Sequence, residues 1–255
     1  MSYLEAAILV ERQAIALVPI GATEAHGPHL PLGTDALISE ELSRRVHAEL
    51  AAAGQASVIA PSLAYAVTEF GAEFTGTVSL NPATATALYV GVCCGLIRAG
   101  FNRVCLINSH LETAHVTALL EACAEVERLT NEIVAFPNHT EPRWARTLSD
   151  DFKRGDCHAG RYETALAMAA FPELVRGEVQ QSLPQNPADF LGAVRAGAAS
   201  FRAAGGQQAY FGDPAAASRD EGEELYHRLV HIVLTTIAET WDVTVPLHRP
   251  NRPSP

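Results

Sequence analysis

Hydrophobic positions along this chain fall in blocks whose period changes. "AIALVPIG" (14–21) is apolar at almost every position, the pattern of a strand buried on both faces. "TDALISEELSRRVHAELAAAG" (34–54) spaces its apolar residues as a helix does, with Thr34 reading as N-cap and Gly54 as stop. A strand at "SVIAPSL" (57–63), an apolar helix over 83–99 and a strand at "RVCLIN" (103–108) follow. Next come a helix at "TAHVTALLEACAEVERL" (113–129) and a strand at "EIVAF" (132–136). Beyond an irregular stretch, "YETALAMAA" (162–170) and "DEGEELYHRLVHIVLTTIAETW" (220–241) have helical spacing. Alternation of strand and helix predicts a layered α/β fold around a largely parallel sheet. The span 178–218, rich in Gln, Ala, Gly and Pro, is predicted to run over the surface. The terminal "HRPNRPSP" has the composition of a frayed end. Residues 1–245 are therefore expected to form one domain, with 246–255 a flexible tail.

Composition narrows the class. Forty-eight per cent hydrophobic residues in a chain of 255 suffice for a sizeable core. The 18 Lys and Arg are scattered and outweighed by 29 Asp and Glu, for a net charge of −11, which argues against nucleic-acid or anionic-membrane partners. The uncharged run Leu80–Ile97 contains Asn81, Pro82, Thr84 and Thr86, so it reads as a buried helix and not as a membrane span. Five cysteines form no C-x-x-C pair, the pattern of reduced thiols. The N-terminus lacks the basic region of a signal peptide. A cytoplasmic location is the expectation.

Candidate chemistry is concentrated in two loops. "ATEAHGPHLPLGTD" (22–35) follows the first strand and carries Glu24, His26, His29 and Asp35, with Pro28 and Pro31 excluding a helix. "NSHLET" (108–113) follows another strand and carries His110 and Glu112. Both lie at the carboxyl ends of strands, the edge where open α/β sheets bind ligands. Three carboxylates and two imidazoles on one edge suit a pair of divalent metals bridged by one carboxylate, and mixed N/O donors suit zinc or manganese. His29 and His115 have no assigned role at this stage. Ser109 beside His110 does not indicate a serine hydrolase, because no G-x-S-x-G turn is present.

"IGATEAHGPHLPLGTD" (20–35) resembles the signature of the creatininase family of metal-dependent amidohydrolases. The resemblance continues in order through "FTGTVSL" (74–80), "LINSHLETA" (106–114), "DCHAGRYET" (156–164) and "FGDPAAASRDEGEE" (211–224). It implies a three-layer α/β/α sandwich, often assembled as a homohexamer. It also implies that Glu24 and His110 bind one metal, His26 and Glu112 the other, and that Asp35 bridges them. His158 matches a histidine for proton transfer, with Glu112 able to share that task. Glu163 matches an acidic residue just after it, either orienting His158 or stabilising a helix dipole. The expected reaction is hydrolysis of a small cyclic amide or a formamide by a hydroxide held between the metals. A peptide bond, a cyclic ketone and a non-catalytic metal-binding protein are the alternatives. The family's namesake enzyme has tyrosine where this chain has Leu111, and tryptophan where it has Arg154. Leu111, Arg154, Trp144 and Glu163 are thus the candidate substrate contacts, with Arg154 favouring an anionic group and Trp144 an aromatic wall. A surface role for both Arg154 and Trp144 is the alternative.

Overall fold

In the computed structural model the described residues are 1–241, Val243 and Val245, so the tail expected over 246–255 lies outside them. Helix α1 (Tyr3–Glu11) opens the chain, started by a capping box between Ser2 and Glu5. Then come β1 (Ile15–Ile20), α2 (Thr34–Ala52), β2 (Ser57–Ile59), α3 (Pro82–Arg98), β3 (Arg103–Asn108) and α4 (Thr113–Thr130). Short helices α5 (Pro142–Ala145) and α6 (Asp150–Arg154) lead to α7 (Arg161–Ala170). After α8 (Gly177–Ser182) and α9 (Phe190–Arg195) the long α10 (Arg219–Trp241) follows.

The strands are parallel in the order β2-β1-β3, with Ile15 of β1 opposite both Ser57 and Arg103. All six residues of β1 are buried, as its unbroken apolar run predicts. Alternate side chains serve opposite cores. Ile15 and Leu17 of β1, with Cys105 and Ile107 of β3, face α2, α7 and α10. Ala16, Val18 and Ile20, with Val104 and Leu106, face α1, α3 and α4. This is the three-layer α/β/α sandwich, and burial of each such Ile, Leu or Val contributes about 1.5–3 kcal/mol. No helix among the described residues is long and apolar enough to cross a membrane.

Three local expectations are corrected. Gly33, not Thr34, is the N-cap of α2; Thr34 occupies the first helical position and donates its hydroxyl to the Pro31 carbonyl at 2.6 Å. The segment 132–136 is not a strand but a single parallel bridge at Ala135, hydrogen-bonded to Val104 and Leu106. Pro137 has no N–H with which to continue the ladder. The span 178–218 does more than cross the surface. It carries α9 and a small buried nucleus of its own, with Phe201 and Phe211 packed against Phe70, Phe74 and Phe190. At the end of β1, a Cβ on Gly21 would stand 2.3 Å from the Ala36 nitrogen, so glycine there lets the strand end abut the start of α2.

Candidate metal centre

Three chain segments converge beyond the carboxyl ends of β1 and β3. The loop after β1 brings Glu24 and His26, and the first turn of α2 brings Asp35. The loop after β3 brings His110, and the first turn of α7 brings Glu163. Glu24, His26, Asp35, His110 and Glu163 are all buried. Helix N-termini favour carboxylates, which is one reason Asp35 and Glu163 sit in first turns.

Hydrogen bonds fix which nitrogen of each imidazole faces the cluster. His26 Nδ1 lies 3.0 Å from the Glu24 carbonyl, and His110 Nε2 lies 2.8 Å from the Val67 carbonyl. A carbonyl only accepts, so those nitrogens carry the hydrogens. The remaining nitrogens then face carboxylates: His26 Nε2 is 3.1 Å from Asp35 Oδ1 and 3.6 Å from Glu163 Oε2. His110 Nδ1 is 3.2 Å from Glu24 Oε2 and 3.1 Å from Asp35 Oδ2. In neutral rings these would be lone pairs aimed at anionic oxygens, so the arrangement calls for positive charge there, either a metal ion or the proton of an imidazolium. Both oxygens of Glu24 and Asp35 Oδ2 are buried without a hydrogen-bond donor. Every ion-pair partner found for Glu24, Asp35 and Glu163 is a histidine. Carboxylates buried in this way cost several kcal/mol unless compensated.

Of the three groups of ligand atoms within metal-binding range among the described residues, two share Asp35: Glu24, Asp35 and His110, and His26, Asp35 and Glu163. The donor set fits a pair of divalent ions sharing Asp35, with each imidazole oriented by a backbone acceptor, as metal-binding histidines usually are. The charge balance says the same. Burial alone would lower the His26 pKa, but Asp35, then Glu163 and Glu24, carry it up to about 10. Burial opposes protonation of His110 too, and Glu24 and Asp35 hold it well above the usual imidazole range. Burial, then Asp35 and Glu24, push Glu163 up to about 8 against the pull of His26.

Glu112 is not in either group. Its carboxylate accepts hydrogen bonds from the backbone N–H groups of Glu69 and Phe70, at 3.2 and 3.3 Å, which turns it away from His26. Glu163, not Glu112, lies within ligand range of His26 and Asp35. Burial raises the Glu112 pKa to about 6, and its side chain lines the adjacent cavity. Gly71 follows in the same loop, and a Cβ there would meet Glu24 Cγ at 2.9 Å, so glycine leaves that carboxylate its space.

His158 stands over the cluster. Its Nε2 lies 3.0 Å from the Ala25 carbonyl, which fixes the hydrogen on Nε2 and leaves Nδ1 with a lone pair. Its ring stacks on Phe201 (4.0 Å between centroids, 23°) and tilts against His26 at 4.7 Å. Burial pushes its pKa down to about 4, despite the pull of Glu24 and Asp35, so the ring is neutral at pH 7. His158 also falls within ligand range of Glu24 and His26. Ala159, next in sequence, has φ of +46°, a left-handed conformation that costs a non-glycine residue about 1–2 kcal/mol. Its N–H donates to Glu163 Oε2 at 2.6 Å, which secures that carboxylate.

A cavity of about 400 Å³ opens on this cluster, lined on its polar side by Glu24, His110, Glu112, His158 and Glu163. Leu111, Phe70, Phe152, Phe190 and Phe201 form much of the apolar side. Among the expected substrate contacts, Leu111 and Glu163 reach the cavity, while Trp144 and Arg154 are absent from its lining. Trp144 is buried in the core beneath, with the Arg143 guanidinium 4.4 Å from its ring. Arg154 is exposed in the last turn of α6, its charge taken by Asp151 and Asp156. Lys153 lines the cavity in its place. His29 is buried with Nε2 2.8 Å from Thr164 Oγ1, and does not reach the cavity lining. His115 backs the first metal position: its ring lies 5.0 Å from that of His110, and its Nε2 lies 2.9 Å from Asn108 Oδ1. That same Asn108 donates to the His110 carbonyl at 2.6 Å.

Comparison with known proteins identifies the family and the fold. The creatininase family model, described as creatinine amidohydrolase, matches residues 1–237. The mycofactocin precursor peptide peptidase of Mycobacterium tuberculosis (strain ATCC 25618 / H37Rv) is 30% identical over 229 residues, covering 87% of this chain and 84% of that one. The creatinine amidohydrolase of Pseudomonas putida is 27% identical over 191 residues, 69% of this chain and 71% of that one. Among solved structures, the zinc–zinc form of a mutant creatininase superposes with a TM-score of 0.76 at 22% identity. That match covers 94% of this chain and 95% of the other.

Proposed function

The chain belongs to the creatininase family, and from that premise we propose that it is a dinuclear metal hydrolase cleaving the carbon–nitrogen bond of an amide. The observation that carries this reading is Asp35, whose two oxygens each face a different imidazole already tied to a backbone carbonyl. Glu24 and His110 would complete one position, and His26 and Glu163 the other. Nitrogen and oxygen donors in this ratio suit zinc or manganese, and a solved relative carries two zinc ions. Two such ions supply an acidified water and a polarised carbonyl at neutral pH.

The chain's own groups do the rest. His158, neutral and with Nδ1 bare, accepts the proton of the attacking water and passes it to the departing nitrogen, which leaves poorly unless protonated. The Ala25 carbonyl and the Phe201 ring hold the imidazole in that orientation. Glu112, held by the Glu69 and Phe70 N–H groups at the cavity wall, is a second acid–base group, its pKa raised by burial to about 6. For the bond cleaved, the Pseudomonas putida relative suggests a small cyclic amide, and the Mycobacterium tuberculosis relative a peptide bond. The second is favoured by the cavity, whose volume of about 400 Å³ lies in the range that drug-sized ligands fill.

Elemental analysis of the purified chain tests the centre. About two divalent ions per chain are expected, falling to one or none in Asp35→Asn. Glu163→Gln should lose one ion, whereas Glu112→Gln should keep both and lose turnover. A single ion unaffected by Asp35→Asn sinks the shared-carboxylate reading.

A further inference from the structure

Resting on the amide-hydrolase reading above, the geometry points to a binding subsite for an aromatic side chain, walled by Phe70, Phe190 and Phe201, that selects which amide is cleaved. The three rings face one another at centroid distances of 5.6, 6.0 and 5.9 Å, tilted by 76°, 43° and 51°. These are the separations at which aromatic rings attract edge to face, and a further ring can join such a set. The packing requirement of this segment is already met by Phe211, which is fully buried with its ring 4.7 Å from that of Phe190. Phe70 and Phe190 remain only half-buried, and both line the cavity with Leu191 and Val194 of α9. Half-buried aromatic surface on a cavity wall gains by covering, and an aromatic group covers it better than a small polar ring.

The subsite adjoins the reacting atoms. Phe201 has one face stacked on His158, so a ring lying against Phe70 and Phe190 is held beside the proton-transfer group. The wall is fixed. Asp189 caps α9 through the Gly192 N–H at 2.8 Å. Leu191 is packed so closely over Gly155 that a Cβ there would stand 2.2 Å from Leu191 Cγ.

Two amides alike at the bond to be cleaved, N-acetylphenylalaninamide and N-acetylglycinamide, test the subsite. Metal-loaded wild-type protein should favour the phenylalanine compound about 10–100-fold in kcat/KM, the discrimination one large apolar group supplies. Phe190→Ala should cut that preference about tenfold with the metal content unchanged, the phenylalanine compound losing more than the glycine one. Phe190→Leu, which keeps bulk without the ring, should fall between. Equal rates for the two compounds in wild type, or an equal loss for both in Phe190→Ala with metals intact, overturn the subsite. If neither compound is cleaved, the amide-hydrolase reading fails, and calorimetric binding of the same pair still judges the subsite. Tighter binding of the phenylalanine compound that disappears in Phe190→Ala supports it, and equal binding overturns it.

Discussion

Two regions face the cavity, and they are held by different forces. The loops after β1 and β3 are positioned by polar contacts with little freedom: backbone carbonyls of Glu24 and Val67 fix the imidazoles, and backbone N–H groups fix Glu112 and Glu163. The segment from α8 to Gly212 is held largely by packed rings, with Asn186 as its main polar staple through Gly205, Tyr210 and Gly212. A charged site needs ligands placed to fractions of an ångström, which directional bonds supply. A wall that only excludes water and covers an apolar group can be built from non-directional packing. On the proposed reading, the strand ends would carry the reaction and the excursion the choice of substrate.

His158 touches both regions, so its replacement separates them most sharply. His158→Asn should keep the metals and lower kcat by about 10²–10⁴-fold, with the smallest loss on substrates having a good leaving group. Metal loss in that variant would move His158 into the ligand set, and unchanged turnover would reduce it to packing. On the strand-end side alone, His115→Phe should weaken metal binding by about 10–100-fold through Asn108 and His110, because groups behind a ligand set its orientation. Competition with a chelator measures this, and selectivity between aromatic and small amides should not change. A shift in selectivity instead would show that the two regions are not separable. On the excursion side, Asn186→Ala removes three side-chain hydrogen bonds and should destabilise the segment locally by about 1–3 kcal/mol. Faster amide exchange over 186–212 with unchanged metal content is the expected signature, and exchange unchanged there would deny Asn186 its stapling role.

The same division explains what could be read from the sequence. The three strands of the sheet and the long helices were legible because period and burial coincide: β1 is apolar throughout and buried throughout. Glu24, His26, Asp35 and His110 were legible because the loops bearing them are dense in Pro, Gly and ionisable residues at strand ends. Where the Glu112 carboxylate lies was not legible, because sequence order says nothing of rotation about χ angles. Two backbone N–H groups from residues 69–70, distant in sequence, claim its carboxylate. Glu163 announced itself only as an acidic residue in a helix's first turn, a position with a bland explanation. Phe190 and Phe201 gave no signal, since an isolated phenylalanine in a Gln- and Ala-rich stretch has no period to mark the face it covers. Arg154 was a candidate by correspondence with another sequence and Trp144 as an aromatic wall; in the structure two aspartates take the charge of the one and a packed core surrounds the other.

The five groups of the cluster, Asp35 among them, come from positions spread between Glu24 and Glu163. During synthesis the first three emerge early, yet they cannot form a closed ligand set until β3 has paired with β1 and α7 has docked. Metal loading is therefore a late event in the life of the chain, after topology is set. Until then the emerging carboxylates stay hydrated. Once the layers close, three of them are stripped of water together, and an ion arriving at that moment exchanges its affinity for folding free energy. If the centre holds metal as proposed, withholding the ion should therefore lower the thermal stability of the chain as well as its activity.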